Sequence, residues 1–270
     1  MKNYQGAIFC DIDGTLVDER HEIFLPTPKV REALTKMQEK GFLIGVATGR
    51  ARCYIPDLKI PFDCYISCNG AVAEVDGKEI FSETIETEEL KEIIACLEEN
   101  GMGYIVENAN ECFYNKTSEA EILHFLELFH MDKRCFSPLK SLDGLKVNKM
   151  VITFDQPEKY QRFCEKFSDR YLIPMHRNLF SADLGKSFIN KASGIEAVVK
   201  AFNLNREQIY AFGDYDNDVE MLQAVAHGIG MTPHSDAVKK VAEYITCGVE
   251  EDGIYWGLKH FHLIDLEEKG

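Results

Sequence analysis

Four polar clusters in this 270-residue chain have the residue types and spacing to do chemistry: Asp11-Ile-Asp13-Gly14-Thr15, Thr48-Gly49-Arg50, Lys191, and Gly213-Asp214-Tyr-Asp-Asn217-Asp218. Asp11 and Asp13 alternate at the end of a short apolar run, AIFC, and alternate positions on extended backbone point to one side. Clustered carboxylates repel and raise one another's pKa unless a cation sits among them, so Asp11 with Asp214 and Asp218 reads as an oxygen cage for Mg2+. Such an ion neutralises part of an incoming phosphate dianion. Around a bound phosphate, Asp11 can attack phosphorus to give an aspartyl phosphate, and Asp13 can protonate the leaving oxygen and then activate water. Thr48 and Lys191 supply a hydroxyl and an ammonium to the transferring oxygens, while Gly14 permits a close turn and Thr15 helps hold the loop.

Each cluster taken singly has a plainer reading. Asp, Asn, Gly and Thr are the commonest turn and cap residues, and Thr48-Gly49-Arg50 alone says little. Lys191 has a rival in Lys186, five positions earlier. The segment from Asp214 resembles the start of a calcium loop, but its sixth position is Val219 where that loop needs Gly, and its twelfth is Val225 where it needs Glu. What separates the clusters from ordinary loop chemistry is their conjunction, in fixed order, at consistent places in the pattern of elements.

In that pattern, residues 7–10 read as a buried strand and 42–47 as a second, with a helix opened by Thr27-Pro28 between them (Val30, Ala33, Leu34 and Met37 at i, i+3, i+4, i+7) and closed by Gly41. Residues 64–68 make a third strand. Strands joined by helices imply right-handed crossovers and a parallel sheet, and ligands collect at the carboxyl ends of such a sheet. From about residue 84 the pattern changes to helix and hairpin, twice: a helix capped by Thr87, strands at 103–108 and 111–116, a helix around 122–129, a strand at 147–154, a helix after Pro157, and paired short strands within 171–184. Alternation returns at about residue 185, with helix 195–202, strand 209–212, helix 219–225 and strand 244–246. The expected fold is therefore α/β, a Rossmann-like doubly wound parallel-sheet core formed by residues 1–82 and 185–270, with an inserted α+β module at 83–184.

Composition narrows the partners. A formal charge of -15 and the lack of any basic run argue against nucleic acid and acidic membranes, which need clustered Lys and Arg. An anionic substrate must instead be drawn by a few local cations or a metal. Nine scattered cysteines without a CxxC pair fit a reduced, cytoplasmic protein. No window approaches the roughly 20 apolar residues of a membrane span, and the N-terminus lacks the apolar segment of a signal peptide.

The motifs DIDGTLVD (11–18), LIGVATGR (43–50), ISCNGA (66–71), FGDYDNDVEML (212–222) and VEEDGI (249–254) together make the chain resemble the haloacid dehalogenase-like (HAD) phosphohydrolases, and most closely the Cof-type branch, whose large α/β cap is inserted between the second and third motifs. The resemblance covers essentially the whole chain. It implies that Asp11 is the nucleophile and Asp13 the acid/base, with Mg2+ held by Asp11, the Asp13 backbone carbonyl and Asp214, supported by Asp218. Thr48 and Lys191 would bind phosphate, Asn217 would orient the site, Asn69-Gly70 would lie near the cap entrance, and Gly49-Arg50 accompany Thr48. One departure stands out: relatives carry Met-Gly-Asn-Ala after the fourth motif, whereas this chain has Met231-Thr-Pro233-His234-Ser235, with Pro233 in the place of the Asn.

The favoured activity is hydrolysis of a small phosphate ester, a sugar phosphate first and a cofactor phosphate next. Two other readings use the same residues: a phosphomutase that hands the phosphoryl group to a second hydroxyl, and a non-enzymatic phosphoacceptor, whose usual receiver domains are about half this length. In the inserted module, His176 and Arg177 mark a candidate substrate-facing turn, whereas Tyr104, Phe113 and Tyr114 read as packing residues. Oligomeric state is open.

Overall fold

The computed structural model describes residues 3–129, 131–176 and 179–264. Along the chain run β1 (Gly6–Cys10), α1 (Pro28–Glu39), β2 (Phe42–Ala47), β3 (Cys64–Ser67), β4 (Val72–Val75), β5 (Lys78–Ser82), α2 (Thr87–Glu99), β6 (Gly103–Glu107), β7 (Cys112–Tyr114), α3 (Glu119–Leu128) and β8 (Phe136–Pro138). They are followed by β9 (Lys149–Thr153), α4 (Pro157–Phe167), β10 (Tyr171–Leu172), β11 (Ser181–Lys186), α5 (Lys191–Phe202), β12 (Ile209–Gly213), α6 (Val219–Ala224), β13 (His227–Gly230), α7 (Asp236–Val241), β14 (Tyr244–Ile245) and α8 (Gly253–His260). The chain divides into two compact units, one of Met1–Thr48, Pro56–Phe81 and Asn190–Gly270, the other of Gly49–Ile55 and Ser82–Ile189.

In the first unit the described strands order β14-β13-β12-β1-β2-β3-β4-β5. Pairing is parallel from β14 through β3. Every residue of β1, β2 and β12 is buried, as expected of strands covered on both faces. On one face Ala7, Phe9, Leu43 and Ala211 pack with Ile195, Val198 and Val199 of α5 and Met221 and Leu222 of α6. α1 starts where Thr27 Oγ1 accepts from Val30 N (3.3 Å) with Pro28 in the first turn, and it buries the predicted stripe of Val30, Ala33, Leu34 and Met37.

The sheet is mixed, not wholly parallel. β4 runs antiparallel to β3, and β4 and β5 form a hairpin whose turn residues Asp76 and Gly77 both have positive φ (49° and 72°). Asp-Gly between apolar runs is a strong hairpin signal, and AEVDGKEI carries it. Thr87 is likewise not a cap: it is the first residue of α2, and Glu86 before it makes no capping bond. Acidic residues at 88 and 89 favour that helix start electrostatically instead.

The second unit holds a sheet in the order β10-β11-β9-β6-β7-β8, antiparallel throughout except for β7 with β8. Alternation assigns its two faces. Tyr104, Val106, Met150, Ile152, Ala182 and Leu184 pack against Leu90, Ile93 and Leu97 of α2 and Phe163 and Phe167 of α4. Tyr104 and Phe113 are thus packing residues as read, and Tyr114 is buried with its hydroxyl donating to Glu119 (2.8 Å). On the opposite face lie Glu107, Lys149 and Asp183.

The boundaries also differ from those read in the pattern. The late crossing falls between Ile189 and Asn190, and Gly49–Ile55 groups with the second unit. Hydrogen bonds explain the latter: Cys53 N donates to Ala109 O (2.8 Å) and Tyr54 Oη to Glu107 (3.1 Å). Among the described residues no helix is long and apolar enough to cross a membrane.

Candidate active site

The carboxyl ends of neighbouring parallel strands β1 and β12 bring the two acidic motifs together. Asp11 follows β1 directly, and its amide donates to Phe212 O of β12 (2.9 Å), so the register that pairs Cys10 with Phe212 sets Asp11 beside Gly213-Asp214. The chain then turns tightly, with Ile12 O accepting from the amides of Thr15, Leu16 and Val17 and with Gly14 N donating to Val17 O (2.8 Å). Gly14 sits at φ +94°, and a Cβ there would run into the Asp214 carboxylate. Both constraints require glycine. Thr15, buried, donates to Asp214 Oδ1 (3.2 Å), which ties the loop to that acid.

Lys191 is the first residue of α5, where Asn190 and Ser193 form a reciprocal cap. The helix therefore begins four residues before the expected 195–202. Its ammonium, with a side chain 0% exposed, lies 2.6 Å from Asp11 Oδ1 and 2.6 Å from Asp218 Oδ1. Lys186, the sequence rival, belongs to the second unit and pairs with Glu83 (2.8 Å). Asp218 is fully buried. Its second oxygen accepts from the amides of Asp214 (2.9 Å) and Tyr215 (3.1 Å), so it braces both the lysine and the loop that carries Asp214. At Gly213 a Cβ would meet the Asp218 side chain, which explains the glycine before the acidic run.

Asp11, Asp214 and Asp218 each offer an oxygen within 4.8 Å of the others. Burial raises the Asp11 pKa to about 7, with Lys191 opposing and Asp218 and Asp13 adding to the rise. Burial, Asp11 and Asp218 likewise push Asp214 up to about 8. The Lys191 pKa is also raised: desolvation disfavours its charge, but Asp11 and Asp218 outweigh that and hold it firmly protonated. Three carboxylates thus share one ammonium, and the set carries more negative than positive charge. A hard divalent cation with oxygen preference fits that donor set. Asp11 and Asp214 are the natural direct ligands, since both oxygens of Asp218 already accept bonds.

Thr48 ends β2, buried; its amide donates to Ile66 O (2.9 Å) and its carbonyl accepts from Asn69 N (3.0 Å), which sets the second motif against the Asn69-Gly70 turn. Asn69 takes φ 54° and Gly70 φ +94°, and a Cβ on Gly70 would strike the Asn190 carbonyl just before Lys191. The turn is therefore packed onto the start of α5. Asp13 and Asn217 are exposed on the loops beside the cluster. Gly49 and Arg50 group with the second unit, as does His176, whereas Arg177 lies outside the described residues. At the departure from the resembling pattern, Ser235 N donates to Asp214 O (2.9 Å) and the Ser235 hydroxyl caps α7 at Val238 N (3.2 Å). Ser235 thus supports the Asp214 loop through backbone and helix cap.

A model of the haloacid dehalogenase-like hydrolase family matches residues 8–258. YkrA of Bacillus subtilis is 26% identical over 261 residues, covering 95% of this chain and 98% of that protein. The 5-amino-6-(5-phospho-D-ribitylamino)uracil phosphatase YitU of the same organism is 24% identical, covering 97% and 99%. Among solved structures, the HAD subclass IIB sugar phosphatase BT4131 superposes with a TM-score of 0.81 at 30% identity, covering 96% of this chain and all (100%) of that one.

Proposed function

The chain belongs to the haloacid dehalogenase-like hydrolase family, and we propose that it hydrolyses phosphate monoesters of small metabolites, sugar phosphates first among them, through a phosphoenzyme on Asp11. The observation that carries this reading is the Asp11 carboxylate held 2.6 Å from a fully buried lysine, inside a three-carboxylate cluster at a strand terminus. The likeness to a sugar phosphatase and to a 5-amino-6-(5-phospho-D-ribitylamino)uracil phosphatase supports a small-metabolite ester as the substrate class.

Asp11, Asp214 and the Asp13 backbone carbonyl would hold Mg2+, with Asp218 in support, and the ion supplies neutralisation of the phosphate dianion. Lys191 favours the ionised form of Asp11 and orients it for attack. A carboxylate oxygen of Asp11 forms a bond to phosphorus as the bond to the leaving oxygen breaks, and Asp13 gives that oxygen a proton. Asp13 then takes a proton from water, whose oxygen attacks phosphorus and releases Asp11. Thr48 and Lys191 bind the transferring oxygens. Thr15 holds the Asp214 carboxylate, Asn217 and Asn69 line the approach, and Gly49-Arg50 follow the phosphate-binding threonine. The inserted module acts as the cap that excludes water and selects the ester. Nine cysteines scattered without a CxxC pair support a cytoplasmic setting.

A panel of phosphorylated sugars and cofactors, assayed for inorganic phosphate with and without Mg2+, tests the reading. Release should stop on chelation and fall by at least about 10⁴ in Asp11→Asn, as expected when a covalent nucleophile is removed. Asp13→Asn should lose about 10²–10⁴. Positional isomers formed without phosphate release would replace hydrolysis by mutase chemistry, and undiminished release in Asp11→Asn would remove the mechanism.

A further inference from the structure

Cysteines scattered in sequence converge in the second unit. Cys53 sits in the short 3₁₀ turn Arg52–Tyr54 and Cys112 on β7; they are 59 positions apart, and their sulfurs lie 3.5 Å from each other. Cys135 Sγ donates to the Cys53 carbonyl (3.2 Å). The approach is fixed by backbone, because Cys53 N is bonded to Ala109 O (2.8 Å) in the β6–β7 turn and Tyr54 Oη reaches Glu107 at the end of β6 (3.1 Å). Of the two facing thiols, Cys53 is partly exposed and Cys112 is buried.

Exposure and local electrostatics both favour Cys53 as the sulfur that an oxidant meets first. The hydrogen bond with the Cys112 thiol lowers the Cys53 pKa, outweighing burial and the charge of Glu107. Burial pushes the thiols of Cys10, Cys64, Cys96, Cys135, Cys164 and Cys247 upward. The thiolate is the reactive form, so the accessible member of the pair is also the readier nucleophile.

We propose that Cys53 and Cys112 form a hydroperoxide-responsive thiol pair, with Cys53 the attacking and Cys112 the resolving sulfur. The Cys53 thiolate attacks hydrogen peroxide, the O–O bond breaks, one oxygen remains as a sulfenic acid, and the other leaves as water after taking a proton. Cys112 sulfur then attacks Cys53 sulfur, the S–O bond breaks, and the departing hydroxide takes the Cys112 proton. Two thiols and one peroxide become one disulfide and two waters, with two electrons passing from sulfur to oxygen. Closing 3.5 Å to the roughly 2.05 Å of a disulfide is a shift of side-chain size. The bridge would tie Gly49–Ile55, the segment directly after Thr48, to β7. The site is independent of the phosphatase reading.

Exposing the folded full-length chain to one equivalent of hydrogen peroxide, then alkylating in denaturant and mapping peptides by mass spectrometry, tests the pair. The expected result is two fewer alkylated thiols, a cross-link joining residues 53 and 112, and full recovery with dithiothreitol. Cys53→Ser should slow thiol loss at least tenfold, whereas Cys135→Ser should leave the cross-link in place. A bridge from Cys53 to Cys135, oxidation of Cys53 to sulfinic acid without a bridge, or unchanged thiol loss in Cys53→Ser would each overturn the proposal.

Discussion

Each unit of this protein buries a lysine between two carboxylates, and the two clusters differ by one acid. Lys191 lies between Asp11 and Asp218 in the first unit; Lys149 lies 3.2 Å from Glu107 and 2.9 Å from Asp183 in the second. Around Lys149 each acid has a second partner: Tyr54 Oη donates to Glu107, and His176 Nε2 stands 3.3 Å from Asp183 with its other ring nitrogen 2.8 Å from Ser181 Oγ. Burial alone would raise Asp183, yet the Lys149 ammonium and His176 hold its carboxyl well below the usual range. Around Lys191 a third carboxylate intrudes, and Asp214 is pushed up to about 8. With two acids to one lysine, the Lys149 network cross-links strands; a third acid beside Lys191 leaves a larger demand for a cation, and that demand is what a phosphate-handling site requires.

Removing the extra acid is the sharpest way to break this comparison. Asp214→Asn should lower phosphate release by about 10²–10⁴, since several kcal/mol of transition-state stabilisation depends on the ion the cluster would hold. The same substitution should raise the melting temperature of the metal-free protein at pH 8. A fall in both activity and metal-free stability would place Asp214 with the structural acids instead. Lys149→Met is the counterpart: it leaves Glu107 and Asp183 buried without their cation, at a cost of about 3–5 kcal/mol, read as a lower denaturation midpoint that Mg2+ does not restore.

A pH series separates Asp11 and Asp214 from Asp183 by sign. Asp11 and Asp214 have raised pKa values in the folded state, so their contribution is present below the ordinary carboxylate range and is lost as pH rises through about 7 and about 8. Asp183 is depressed, so its contribution is present above that range and is lost as pH falls through it. Melting curves in chelator should decline on both arms, and Mg2+ should reduce the slope of the alkaline one alone. Glu107, also raised by burial, adds an alkaline slope that Mg2+ leaves untouched. The smallest effect is expected from Thr15→Val, which removes one donor to Asp214 at about 1 kcal/mol, roughly a fivefold loss in apparent Mg2+ affinity by activation titration.

Much of the first unit was legible because local signals agreed with the fold. The Thr27-Pro28 start, the i, i+3, i+4, i+7 stripe of α1 and the all-apolar run of β2 each satisfy backbone and burial rules within a dozen residues. The β4–β5 hairpin carried an equally local signal in Asp76-Gly77 and was overlooked. The Lys149 cluster was illegible for a different reason. Glu107, Lys149 and Asp183 are scattered charges in runs of apolar residues, and only the strand order β11-β9-β6 puts them together.

Sequence alone determined which chemical groups the chain owns and which end of a strand or helix each one occupies, because caps, turns and periodicity act over a few residues. Convergence was decided by the tertiary structure. Lys191 meets Asp11 across 180 positions and Thr15 meets Asp214 across 199. Parallel register and helix docking fix those distances, and burial then sets the protonation of the acids they assemble.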